Sequence, residues 1–181
     1  LENLGMVLRD LGNPQQACLF LEEGLEICRT AGIRDGEGTI LNEIGIAALD
    51  LPDVDRAQDA FERAHALNQE IGNRRAAVES LAGLAQVASL QGASDLALAR
   101  AVELLSYLEQ DPDLPGAQRL LRVYLVCYQS LRAAGDARAE AILAEPARSP
   151  YAGRIAEALG ALRVAGPDDA SALATLTERI R

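Results

Sequence analysis

Self-similarity at a fixed interval constrains this chain more than any other feature. Leu1, Leu41, Leu81 and Leu121 stand 40 residues apart, and Leu4, Ile44, Leu84 and Tyr124 keep the same interval. Gly5, Gly45 and Ala85 follow, with Leu125 a poorer fourth, and then Leu8, Ala48, Ala88 and Tyr128. Ala17, Ala57, Ala97 and Ala137 form a column of alanines throughout. Leu21, Phe61, Ala101 and Ala141 make a further column, as do Gly24, Ala64, Leu104 and Ala144. A period of this length marks a repeat array, in which each unit buries its apolar faces only by stacking on the next.

Each unit reads as two helices. Leu41, Ile44, Gly45 and Ala48 line one face of a short first helix at helical spacing. A turn at Leu51-Pro52-Asp53 interrupts it. Ala57, Phe61, Ala64, Leu67 and Ile71 then form the stripe of a longer second helix, whose other face carries Asp55, Asp59, Glu62, Arg63 and Glu70. Gly12-Asn13-Pro14 and Gly92-Ala93-Ser94-Asp95 supply a breaker followed by a cap or a helix-starting proline. Gly32 and Gly72 fall where a left-handed C-terminal cap favours glycine. The small residues predict close helix axes, with Gly5 and Gly45 facing Ala17 and Ala57. Aromatic residues are only 3% of the chain and Trp is absent, so Ala and Leu, both strong helix formers, must fill the core. The expected class is all-α.

Several functions are disfavoured by composition. The net charge is −10, with 17 basic residues, all Arg, against 27 acidic ones, so a phosphate-neutralising surface is not expected. Anionic membrane surfaces would repel such a chain, and no apolar run nears the ~20 residues that span a bilayer. A cytoplasmic location without a signal peptide is expected and, since the chain opens on Leu1, a piece of a longer protein. Without lysine there is no P-loop lysine and no Schiff base. Cys18, Cys28 and Cys127 show no metal-ligand spacing. Cys18 and Cys28, on one helix, would lie roughly 15 Å apart, so all three read as reduced small hydrophobes. His65, the one histidine, reads as structural, and Gly36-Glu37-Gly38 follows no strand and is no dinucleotide loop. The reading is non-catalytic, with no metal and no cofactor.

Leu1, Leu4-Gly5 and Leu8, then Leu41, Ile44-Gly45 and Ala48, together with Ala17/Leu21 and Ala57/Phe61, resemble the tetratricopeptide repeat. The family's aromatic positions are mostly aliphatic here, and Arg29, Gln69 and Glu109 replace its closing proline. The unit is also longer than the family's usual ~34 residues, which longer helices explain. The resemblance implies a right-handed α-solenoid of about five antiparallel hairpins in one domain, with units near 1–35, 36–73, 74–110, 115–147 and 150–181. Pro112 and Pro115 mark an internal break, Gly135-Asp136 a slipped turn, and Pro146 a shortened helix.

In such repeats the first helices line a groove that holds partner peptides. The resemblance places Glu2, Asn3, Met6, Arg9 and Asp10 of the first unit there, and Asn42, Glu43, Ile46, Leu49 and Asp50 of the second. Ala82, Gly83, Gln86 and Ser89 follow from the third, and Arg122, Val123, Val126 and Gln129 from the fourth. Asn3 and Asn42 could donate to and accept from a peptide backbone, or could be merely exposed polar residues. As neither belongs to the repeated apolar columns, replacing both with Ala is expected to cost affinity and spare stability. Glu2, Asp10, Glu43 and Asp50 outnumber Arg9, so the expected partner is a neutral to basic segment. The lack of lysine argues against a carboxylate clamp. Repeats of this length, with phrases like Glu70-Ile71-Gly72-Asn73-Arg74-Arg75, resemble those of bacterial signalling proteins and transcriptional regulators. The alternatives are an adaptor that self-associates through its open ends, giving a homo-oligomer, and a sensor of a peptide or small ligand.

Overall fold

The structure, a computed structural model, describes residues 1–110 and 120–139. Among these residues there are seven helices and no strand: α1 (Glu2–Asp10), α2 (Pro14–Ala31), α3 (Arg34–Asp50), α4 (Val54–Glu70), α5 (Arg74–Leu90), α6 (Ser94–Gln110) and α7 (Leu120–Ala133). The 40-residue interval is kept by the helix starts themselves, 14, 54 and 94 for the second helices and 34 and 74 for two of the first. Three complete hairpins and the first helix of a fourth are thus described. The expected fifth unit, and with it Pro112, Pro115 and Pro146, lies outside the described residues.

Every helix packs on its neighbours in the chain, and the first helices also touch one another, α1 on α3, α3 on α5 and α5 on α7. No comparable contact joins α2 to α4 or α4 to α6 among the described residues. The first helices therefore form the tight inner layer of an α-solenoid and the second helices its splayed outer layer.

Glycine sets the corners. Gly12, Gly32, Gly72, Gly92 and Gly135 have φ between +68° and +78°, a conformation a Cβ disfavours. At each, the glycine N–H bonds the carbonyl three residues back and the next N–H bonds the carbonyl five back, as in Gly12 to Arg9 and Asn13 to Leu8. Asn13, Asp53 and Asn73 then cap the following helices by accepting from the N–H groups of Gln16, Arg56 and Ala76.

Three expectations need correction. The first helix of the second unit is not short: α3 has 17 residues, as many as α4. It is buried on several sides, against α1, α2, α4 and α5, so no single apolar stripe announces its length. The glycine column does not face the alanine column either. A Cβ on Gly5 would lie 2.6 Å from Leu21 Cγ, and one on Gly45 2.7 Å from the Phe61 ring, one helical turn beyond Ala17 and Ala57. In the fourth unit the turn is slipped, as Gly135-Asp136 suggests, with the corner three residues later than the interval from Gly92, and the alanine column fails there. Ala137 accordingly sits exposed in the turn while Ala17, Ala57 and Ala97 are buried.

Phe61, fully buried, is wedged between Gly45 of its own hairpin and Gly83 of the next. A methyl at either position would meet the ring. Gly45→Ala should therefore destabilise the chain by about 1–3 kcal/mol by overpacking, although alanine is the better helix former. In a Phe61→Ala background the same change should cost nothing or stabilise, because it recreates the Ala85/Ala101 pair of the third hairpin. Urea unfolding of the double-mutant cycle would read this coupling, and additive effects would show that the ring does not fill that gap.

Pro52 occupies the corner that glycine takes elsewhere, at φ +27°, far from the value near −65° that its ring favours, and it has no N–H to donate. Pro52→Gly should raise stability by about 1–2 kcal/mol, relief of strain and a new hydrogen bond outweighing the greater freedom of the unfolded glycine. Thermal melting should show a smaller gain for Pro52→Ala, which removes the ring and restores the donor but keeps a Cβ at a positive φ.

Candidate partner-binding groove

The inner layer is made by α1, α3, α5 and α7, and each consecutive pair is joined by polar contacts. Between α1 and α3, the Arg9 guanidinium reaches Glu43 Oε2 at 3.3 Å, with Asp50 at 3.8 Å and Asp10 at 2.9 Å. Arg9 and Glu43 have side chains only 8% and 6% exposed, so this is a desolvated pair and not a surface contact. Between α3 and α5, Asn42 Nδ2 donates to the Ala76 carbonyl at 3.0 Å, and its Oδ1 accepts from Ser80 Oγ at 2.7 Å. Between α5 and α7, Arg122 donates to Gln86 Oε1 at 2.6 Å.

These bridges reassign several expected groove residues. Asn42 is 1% exposed and its amide is spent inside the protein, so it offers nothing to a peptide backbone. The reason is positional: its place on α3 faces α5, and the corresponding Ala82 of α5 is buried as well. Glu43 lies on the side of α3 that meets α1, where Arg9 covers it. Its counterparts Gly83 and Val123 are likewise buried, and so is Val126. Asn3, at the same place on α1, is exposed because that side of α1 has no neighbour among the described residues.

The structure leaves Met6, Ile46 and Gln86 together as a partly exposed column across α1, α3 and α5. Leu49 and Asp50 are half-buried beside them, and Asp10, Ser89 and Gln129 are exposed. Ile46 and Leu49 rest on the cluster of Ala48, Ala57, Phe61, Leu84 and Val87, so the floor is fixed by the core. Its charge is lopsided, since one guanidinium faces Glu43, Asp50 and Asp10. Glu2, half-buried on α1, has its pKa raised by burial first and then by Glu43. The α1–α3 end is accordingly anionic.

His65 and two of the three cysteines are occupied or shielded. His65 Nδ1 lies 3.1 Å from the Ala77 carbonyl, to which the Nδ1–H tautomer donates, tying α4 to α5. Burial pushes the Cys127 thiol up to about 12 and raises Cys18 too. Among the described residues no group of three or more His, Cys, Asp or Glu is placed to hold a metal ion. No helix among them is long and apolar enough to cross a membrane. No polar repeat signals this bridge in the sequence, because the Ser80 column holds Ile40 and Leu120 in the adjoining units.

Residues 1–70 match the model of the tetratricopeptide repeat. That stretch is tetratricopeptide-repeat sequence. It comprises α1 to α4, and α5 to α7 continue its columns and its inner layer. The fold is shared with the crystal structure of BtubC (BKLC) from P. vanneervenii, at a TM-score of 0.67 and 20% identity over 88% of this chain. The chain spans 63% of that structure's length. No curated protein sequence matches.

The bridge geometry changes what the asparagine substitutions should do. Asn42→Ala should cost about 1–2 kcal/mol, through the loss of two buried hydrogen bonds and a small void, while the Ser80 hydroxyl still donates to the Ala76 carbonyl at 2.8 Å. Asn3→Ala should stay within about 0.5 kcal/mol. Denaturant unfolding of the two single variants would check this, and equal effects would remove the buried role of Asn42.

Proposed function

We propose that this chain is a non-catalytic scaffold that holds an extended, neutral to basic segment of a partner protein along the inner face of its first helices. Tetratricopeptide repeats point to protein interaction at the coarse level. The observation that carries the finer reading is the strip of Met6, Ile46 and Gln86, half-open to solvent and flanked by Asp10 and Asp50. Such a strip gives aliphatic contact and the Gln86 Nε2 donor to an extended peptide, with a carboxylate excess that favours cationic side chains. The polar bridges beneath it hold successive first helices in register, so little ordering of the scaffold would be needed on binding. In our reading the scaffold serves a larger bacterial signalling protein or transcriptional regulator, which rests on the resemblance of the repeat phrases.

Selection of peptides from a random display library against the folded chain tests the groove. The enriched sequences should be neutral to basic, and their affinity should fall as salt is raised, because exposed charges are screened. Met6→Arg combined with Asp10→Arg should weaken them by at least about tenfold (~1.4 kcal/mol) without lowering the melting temperature. Acidic winners, or winners indifferent to the double substitution, would move recognition off the inner face.

A further inference from the structure

Three of the first helices present a pair of side chains to the inner face, one helical turn apart. The pairs are Met6 and Asp10 on α1, Ile46 and Asp50 on α3, and Gln86 and Leu90 on α5. Helices α3 and α5 have a first helix on either side and still leave these positions partly open, with Leu90 60% exposed. Cα atoms of neighbouring first helices approach within 8 Å, which sets successive pairs about 8–10 Å apart across the face. The pairs differ in chemistry. Those on α1 and α3 combine an aliphatic side chain with a carboxylate, where Asp10, Glu43 and Asp50 surround the Arg9 guanidinium. The pair on α5 is uncharged, an amide beside a leucine. Gln86 Oε1 accepts from Arg122, so Nε2 is the group it offers outward.

We propose that the segment held on the inner face is in the polyproline II conformation, with three residues to each first helix, basic side chains over α1 and α3 and an aliphatic one over α5. This deepens the groove reading above and rests on it. Three residues of polyproline II rise about 9.3 Å and complete one turn, so every third side chain returns to the same side as the next helix is reached. A β-strand repeats its faces about every 6.6 Å, and at the next helix its side chain would point away. Of each triplet, one residue meets Met6, Ile46 or Gln86, a second meets Asp10, Asp50 or Leu90, and the third is left to solvent. From α1 to α5 the second row is therefore read as basic, basic, aliphatic at a spacing of three. Polyproline II makes no internal hydrogen bonds, so a carbonyl can accept from Gln86 Nε2. Its prolines bring no N–H to satisfy, which suits a face whose Asn42 amide is spent inside the protein.

Two labelled peptides of identical composition test the spacing. In Pro-Arg-Pro-Pro-Arg-Pro-Pro-Leu-Pro the arginines and the leucine are three apart, and in Pro-Arg-Pro-Arg-Pro-Leu-Pro-Pro-Pro they are two apart. Titrated into the intact chain, the first should bind at least tenfold more tightly and keep the circular dichroism of polyproline II. The chain carrying Leu90→Asp should reverse a preference, binding the first peptide less well than its variant with Arg in place of Leu. Leu90 is exposed, and an unchanged melting temperature would show that the fold is intact. Equal affinity for the two spacings, helical dichroism of the bound peptide, or no change of preference with Leu90→Asp would each overturn the proposal. Failure of both peptides would overturn it too. The groove reading would survive that failure if library selection still yielded neutral to basic ligands sensitive to Met6→Arg with Asp10→Arg, and would fall with it otherwise.

Discussion

The array depends on how close two helices can come when one carries a large side chain. Phe61 sends its ring across the joint between two hairpins, and the space for it exists only because residues 45 and 83 are glycine. The other joints solve the same problem with different volumes. Leu21 lies against Gly5 in the first hairpin, while the third uses Ala85 with Ala101, where a small second-helix residue tolerates a methyl on the first. Interiors are filled to near-crystalline density, so these residues change together or not at all. A large second-helix residue thus goes with glycine on the first helix, and a small one with alanine.

Close approach of the first helices brings polar groups into the inner layer, and the bridges are the consequence. A buried amide or ion pair carries a desolvation cost of several kcal/mol unless it is fully bonded, so it adds little net stability over an apolar pair of the same shape. Its effect is selective. Asn42 is satisfied only when an α5 carbonyl and the Ser80 hydroxyl stand opposite, and Glu43 only when Arg9 reaches it. A one-turn slip between hairpins would leave each of these unpaired in the interior. Residues that resemblance assigned to a ligand therefore serve to fix the register of the surface a ligand would meet.

Much of the architecture was legible because turns and periods are local. The interval, the glycine corners and the capping residues all sit within a few positions of one another and can be read without knowing what lies opposite. What faces what was not legible at that level. The columns alone place Gly45 opposite Ala57 as readily as opposite Phe61, since both lie on the same stripe of α4 one helical turn apart. The length of α3 was missed for a related reason. A helix surrounded by four others has no polar face, and Gly36 and Gly38 in its first turns look like a loop. Of the residues expected in the groove, Met6, Ile46 and Gln86 are partly exposed in one column, whereas Asn42 and Glu43 are buried. Exposure of a polar residue depends on the neighbouring unit, and that dependence is absent from any single repeat.

The pairs across the joints also argue that the hairpins are not interchangeable, although they share columns. In the second hairpin Gly38 lies against the fully buried Asn68, whose amide has no hydrogen-bond partner among the described residues. The third hairpin fills the same two places with Val78 and Leu108. The second also holds Asn42, Phe61 and His65, each of which needs a feature of the third: Ser80, Gly83 and the Ala77 carbonyl. In a stack stabilised by nearest-neighbour contacts, such requirements set which unit follows which. A second copy of the second hairpin placed after itself would set Ile40 opposite Asn42 and Glu43 opposite the Phe61 ring, losing a hydrogen bond and gaining a clash. The order of units, and with it the sequence of side chains along the inner face, is thus written into the joints.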